Sequence, residues 1–141
     1  MKNQTKITLL FFAFLAAFSF TSNAQTNKKG SLIGLHSGTL KLAPNVTMKQ
    51  YVDFFHNKLQ PQLEKEFQCK LILVEGVRGK GQNQIGFIWL FESEAARNKV
   101  YQSEGVYTPF GQNAMNKVQK TIEQWNKLGT TETTYTDWSV L

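Results

Sequence analysis

Few residues in this chain of 141 are equipped for chemistry, and they are scattered. One of its two histidines, His36, sits in "GLHSG" between Gly34 and Gly38 and beside Ser37. A neutral imidazole there can act as a base or a ligand near neutral pH, and flanking glycines would leave room for a bound molecule above a strand. The plainer reading is a histidine hydrogen-bonded to a neighbouring strand or across a dimer. The stretch is not a serine-hydrolase elbow, because the middle position of G-x-S-x-G holds His36 and no strand-to-helix turn follows. The other histidine, His56, borders an apolar helical stripe, where a solvated side chain is expected. The single cysteine, Cys69, lies in an apolar run and reads as a small buried hydrophobe. With one thiol, neither an intrachain disulfide nor a cysteine-based zinc site can form. No His, Asp and Glu set has metal-ligand spacing, so no metal site is expected.

Aromatic side chains are the second candidate set. Phe87, Trp89 and Phe91 alternate along one run and Trp138 lies near the C-terminus. Aromatic walls with a few polar groups describe many small-molecule pockets, so these four residues are candidate ligand contacts. Glu75 and Arg78 flank Val77 near a strand end and would orient a polar substrate or form an ion pair at the sheet rim. Tyr51, Tyr101 and Tyr107 could line a cavity mouth. Gly79 and Gly81 in "RGKGQNQ" hint at a phosphate loop, but Gln84 replaces the third glycine and the loop joins two strands.

These residues need elements to hold them. Alternation over Leu32–Leu42 predicts a strand with Leu32, Gly34, His36, Gly38 and Leu40 on one face. "APNV" is a turn, and Thr47 with Gln50 three residues on has capping-box spacing at the start of a helix. Met48, Val52, Phe55, Leu59 and Leu63 form its apolar stripe, with a kink or break expected near Leu59 because Pro61 lies inside the pattern. Residues 69–77 and 85–91 read as buried strands joined by a hairpin loop. Ser93 caps a second helical region interrupted over residues 105–111, "GVYTPFG", a connection or a lid. The helix resumes through Ala114, Met115, Val118, Ile122 and Trp125, with Gly129 as its C-terminal cap. "TTETT" then links to a last strand over residues 135–141.

The order β-α-β-β-α-β is the split βαβ pattern of a ferredoxin-like α+β fold: a four-stranded antiparallel sheet, strand order 4-1-3-2, with helices on one face. Phe87, Trp89 and Phe91 would share the open face, joined by Thr136 and Trp138. Ile33, Leu35, Ile88 and Leu90 would pack under the helices. An aromatic face of that size should not meet water, so a second copy, sheet against sheet, is expected to cover it.

Residues 1–24 are set apart by Lys2 and Lys6, an uncharged apolar run and a small-x-small site ending at Ala24. That is a secretory signal peptide with cleavage before Gln25, which places the mature chain in the periplasm or outside the cell. No cysteine marks a lipidation site, and no later segment is long enough to span a bilayer. Residues 25–30 read as a flexible lead-in and 31–141 as one domain. Removing the signal peptide leaves fourteen basic against ten acidic residues, a formal charge of +4 that is dispersed along the chain. No basic groove is interleaved with stacking aromatics, so nucleic acid is not expected as a partner.

Three segments, "MKQYVDFFHNKLQPQLEKEF", "LVEGVRGKGQNQIGFIWLFES" and "TYTDWSVL", together with the element order, make the chain resemble the dimeric α+β barrel superfamily. More narrowly, these segments look like those of a group of small exported bacterial proteins of uncharacterised function. The superfamily includes antibiotic biosynthesis monooxygenases and haem-degrading monooxygenases. The resemblance implies a homodimer enclosing a cavity for a small hydrophobic or aromatic molecule, and cofactor-independent monooxygenase-like or isomerase-like chemistry. Trp89 would match the tryptophan of the haem-degrading members, whose asparagine has no counterpart on the first strand; no cofactor is expected. The alternative is a non-enzymatic interaction module whose aromatic sheet face serves dimerisation alone.

Overall fold

The structure is a computed structural model that describes residues 28–141; the expected signal peptide lies outside them. The first strand, β1 (Leu32–Leu42), has the bounds that alternation sets. It leads through a turn to α1 (Met48–Phe54), where Thr47 Oγ1 accepts from the Gln50 N–H and Gln50 Oε1 accepts from the Thr47 N–H, a complete capping box. A π-helical turn, Phe55–Leu59, follows, and then α2 (Gln60–Phe67) with Pro61 in its first turn. Proline has no N–H to return to the preceding turn, and the chain absorbs that loss by widening the turn before it. The break foreseen near Leu59 is therefore a change of helical pitch that keeps Phe55, Leu59 and Leu63 buried.

Next come β2 (Lys70–Glu75), a 3-10 turn at Gly79–Gly81, and β3 (Ile85–Phe91). Ser93 caps α3 (Glu94–Val100) by accepting from the Ala96 N–H. The interruption after it is a small hairpin of β4 (Tyr101–Ser103) and β5 (Val106–Tyr107), after which Thr108 caps α4 (Pro109–Asn126). The last strand, β6 (Gly129–Ser139), is longer than expected. "TTETT" is part of this strand rather than a linker, and Gly129 opens the strand while Lys127 caps the helix. Threonine is β-branched and fits a pleated edge, so β6 pairs with β1 along its whole length, from Leu32 opposite Ser139 to Leu42 opposite Gly129. Within the expected lead-in, residues 28–30 form a turn whose Gly30 N–H donates to the Val140 carbonyl at 2.8 Å.

The main sheet runs β2-β3-β1-β6, all neighbours antiparallel, which is the ferredoxin-like order. Its register corrects the expected faces. His36 lies opposite Phe87 and Tyr135, and Leu32 opposite Phe91. That row points at the helices: Leu32, Leu71, Ile85, Phe87 and Phe91 are core, packed with Tyr51, Phe55, Leu63, Phe67, Val100 and Val118. The aromatic face is thus the covered one. Ile33 lies opposite Leu90 and Trp138, and Leu35 opposite Ile88 and Thr136, on the face that carries no helix. Trp138 and Thr136 therefore stand with the aliphatic row and not with Phe87 and Trp89. The side on which the β1-to-β2 crossover lies is set by its handedness, which alternation alone does not encode.

Gly38 shows how closely β6 is held. A Cβ on Gly38 would fall 1.9 Å from the Glu132 carbonyl oxygen, so only glycine permits this approach. Gly38→Ala is expected to lower stability by about 1–3 kcal/mol, the usual range for overpacking, as a shift in urea midpoint; an unchanged midpoint would show that β6 does not lie this close.

Candidate functional site

Between the sheet and the helices lies a cavity of about 270 Å³. Its floor is the inward row of the sheet: His36 from β1, Leu71 from β2, Phe87 and Trp89 from β3, Thr131 and Thr133 from β6. Tyr51 of α1, Phe55 and Leu59 of the π turn and Leu63 of α2 form one wall. Met115, Ile122 and Trp125 of α4 form the other, and Tyr101 and Tyr107 of the small hairpin reach it as well. The interruption "GVYTPFG" thus contributes Tyr107 to the cavity wall.

His36 is half-buried, with its ring 4.6 Å from that of Tyr135 and 6.2 Å from that of Trp89. Burial lowers its pKa and the Asp137 carboxylate partly opposes that shift. The neutral imidazole is favoured, as a base or hydrogen-bonding group facing the cavity requires. The glycines beside it do not make space for a ligand. A Cβ on Gly34 would sit 3.2 Å from Asp137 Oδ1 and 3.5 Å from the Tyr135 ring, so the space at Gly34 is filled by the protein's own β6 side chains. Asp137 in turn pairs with Arg97 of α3 at 3.0 Å, tying β6 to the helical layer.

Of the other residues singled out above, Phe87 and Trp89 join His36 at the cavity. Phe91 is core, 3% exposed, opposite Leu32 at the strand end and outside the cavity lining. Trp138 is 60% exposed on the far face of the sheet. Glu75 ends β2 and borders a smaller cavity of about 200 Å³ with His56 and Met48. Arg78 is exposed in the β2–β3 connection, and among the described residues neither it nor Glu75 forms an ion pair. His56 is exposed, with Nδ1 2.7 Å from Gln60 Oε1. Burial pushes the Cys69 thiol up to about 12, which keeps it a protonated, unreactive packing group. Among the described residues no three His, Cys, Asp or Glu side chains gather as a metal site would need.

Sequence reasoning missed Trp125 and Thr131. Trp125 was legible only as part of a helical stripe, and Thr131 lay in a segment read as a linker. Its alternation with Thr133, Tyr135 and Asp137 is the signal that could have found it.

No protein-family model matches the chain, and no curated protein matches it in sequence. Among solved structures it is similar to a NIPSNAP family protein of unknown function from Agrobacterium tumefaciens, at 14% identity, with 80% of this chain and 92% of that one covered and a TM-score of 0.52. A NIPSNAP-like domain protein from Burkholderia xenovorans aligns at 14% identity over 81% of this chain and 88% of that one, with a TM-score of 0.47. A dimeric protein of ferredoxin-like fold and unknown function from Bacteroides fragilis aligns at 11% identity over 79% and 97%, with a TM-score of 0.42. At these identities the likeness is one of fold.

The lowered pKa of His36 sets a pH dependence. The unfolded histidine takes up a proton near pH 6.5 while the folded one resists it, so stability is full above that pH and falls as pH drops below it. Thermal unfolding between pH 7.5 and 5 is expected to show this loss in the wild type and a shallower one in His36→Gln. Identical profiles would mean that His36 protonates as freely in the fold as outside it.

Proposed function

We propose that the protein is an exported homodimer that binds a small hydrophobic or aromatic molecule in the cavity between its sheet and its helices. The observation that carries this reading is the cavity itself, about 270 Å³ and walled by His36, Phe87 and Trp89 within one chain. An apolar cavity of roughly 150 Å³ already accommodates benzene. Well-packed domains keep few voids of this size. His36 is the one lining side chain able to take a proton near neutral pH, which makes it the candidate base for an isomerase-like or cofactor-independent oxygenase-like reaction on the bound molecule.

The dimer rests on the opposite face. Ile72 and Trp138 are 45% and 60% exposed there, with Ile33, Leu35, Ile88 and Leu90 half-buried between them. Apolar side chains gathered on one helix-free face, with Lys70 and Thr136 among them, suit an interface, and a second copy of the same sheet is the occupant of matching chemistry. Association through this face leaves the cavity untouched. Among the described residues no helix is long and apolar enough to cross a membrane.

Two measurements test this. Tetralin, a two-ring hydrocarbon, should raise the melting temperature of the wild type and bind by calorimetry, and Met115→Trp, which fills the cavity, should abolish both effects; a wild type indifferent to tetralin would sink the ligand reading. Light scattering on the chain from Gln25 onward should give the mass of a dimer at micromolar concentration and of a monomer for Trp138→Asp. A folded wild-type monomer would overturn the dimer and leave the cavity reading intact.

A further inference from the structure

The cavity lining narrows the chemistry of its occupant, an inference that rests on the ligand-binding reading above. No Lys, Arg, Asp or Glu lines the cavity, and its histidine is held toward the neutral form by burial. A charged molecule would surrender its hydration there and find no counter-charge. The occupant is therefore neutral.

Its polarity follows from three atoms. Tyr51 Oη, Trp125 Nε1 and Thr131 Oγ1 are buried, and among the described residues none has a hydrogen-bond partner. All three residues line the cavity. Tyr51 is fully buried, stacks on Trp125 with ring centroids 4.6 Å apart, and has its hydroxyl close to Thr131. Burial pushes the Tyr51 hydroxyl up to about 12, so it keeps its proton at any physiological pH. An indole N–H only donates, and both hydroxyls can donate. Even where the two hydroxyls pair with each other, one hydroxyl proton and the Trp125 N–H are left to donate at this end of the cavity. Buried polar atoms are seldom left unmatched, and a completing group must accept hydrogen bonds while bringing no charge.

We propose that the cavity takes a neutral aromatic carbonyl compound of one or two rings, its oxygen directed at Tyr51, Trp125 and Thr131. A carbonyl oxygen has two lone pairs and no proton of its own, so it accepts from two of the three donors at once. The rings lie among Phe55, Phe87 and Trp89, and the end of the molecule remote from the carbonyl faces His36. The three donors are shut off from bulk water, and so they discriminate between an oxygen-bearing ligand and its hydrocarbon more sharply than exposed donors do.

The test compares 1-tetralone, tetralin and 1-naphthoate by calorimetry on the full-length mature chain. The ketone should bind at least tenfold more tightly than tetralin, and the carboxylate more weakly than either. The near-isosteric variants Tyr51→Phe and Thr131→Val should each weaken 1-tetralone by at least fivefold and leave tetralin unchanged, which separates a lost hydrogen bond from a damaged fold. Equal affinity for ketone and hydrocarbon, or ketone binding that ignores both variants, overturns the carbonyl assignment and leaves the hydrophobic-ligand reading standing. Preferential binding of 1-naphthoate overturns the neutrality argument, and failure of all three compounds to bind removes the ligand reading together with the inference.

Discussion

The spacing between sheet and helices is set by rings. Phe87 of β3 meets Phe55 of the π turn at 5.8 Å and Trp125 of α4 at 5.5 Å, while Trp89 meets Phe67 of α2 edge-on at 5.7 Å. Rings are rigid and have few rotamers, so they prop two layers apart at distances that flexible aliphatic side chains would close. Where neighbouring rings fail to interdigitate, space remains. The cavity is a consequence of this aromatic frame, and its walls are the same side chains that hold the layers together.

Two backbone features keep the frame in register. The π turn at Phe55–Leu59 places Phe55 and Leu59 on the cavity side while accommodating the proline that follows. π turns of this kind recur at functional sites because they rotate side chains out of regular helical phase. On the other flank, Gly34 and Gly38 let β6 close against β1, carrying Tyr135 toward His36 and Asp137 toward Arg97. The edge strand thereby adds the hydroxyls of Thr131 and Thr133 to a lining that is otherwise mostly apolar.

The two faces of the sheet divide the labour. The inward face is largely aromatic and borders the cavity; the outward face is largely aliphatic, with Ile72 and Trp138 its most exposed apolar side chains. Because alternate residues of each strand serve opposite faces, a substitution on one face is geometrically insulated from the other. Side chains of the cavity and side chains of the helix-free face can accordingly be changed independently by single substitutions, although both sets share every strand.

Much of this was legible along the chain. The bounds of β1 and β3, the Thr47 capping box, the Pro61 disturbance and the ferredoxin-like order all follow from local rules, because alternation, caps and proline act over a few residues. Alternation also grouped His36, Phe87 and Trp89, which the structure does bring together. It could not say which side of the sheet the helices take, so Phe87, Trp89 and Phe91 were expected in the open and Trp138 among them. Nor could it say what Gly34 and Gly38 were making room for, since the neighbour that fills the space, β6, lies about a hundred residues away and part of it read as a linker. Local sequence determined the elements and their alternating rows of side chains. The tertiary structure alone decided which row is buried, because the handedness of a crossover and the approach of a distant strand are properties of the packed chain and of no single segment.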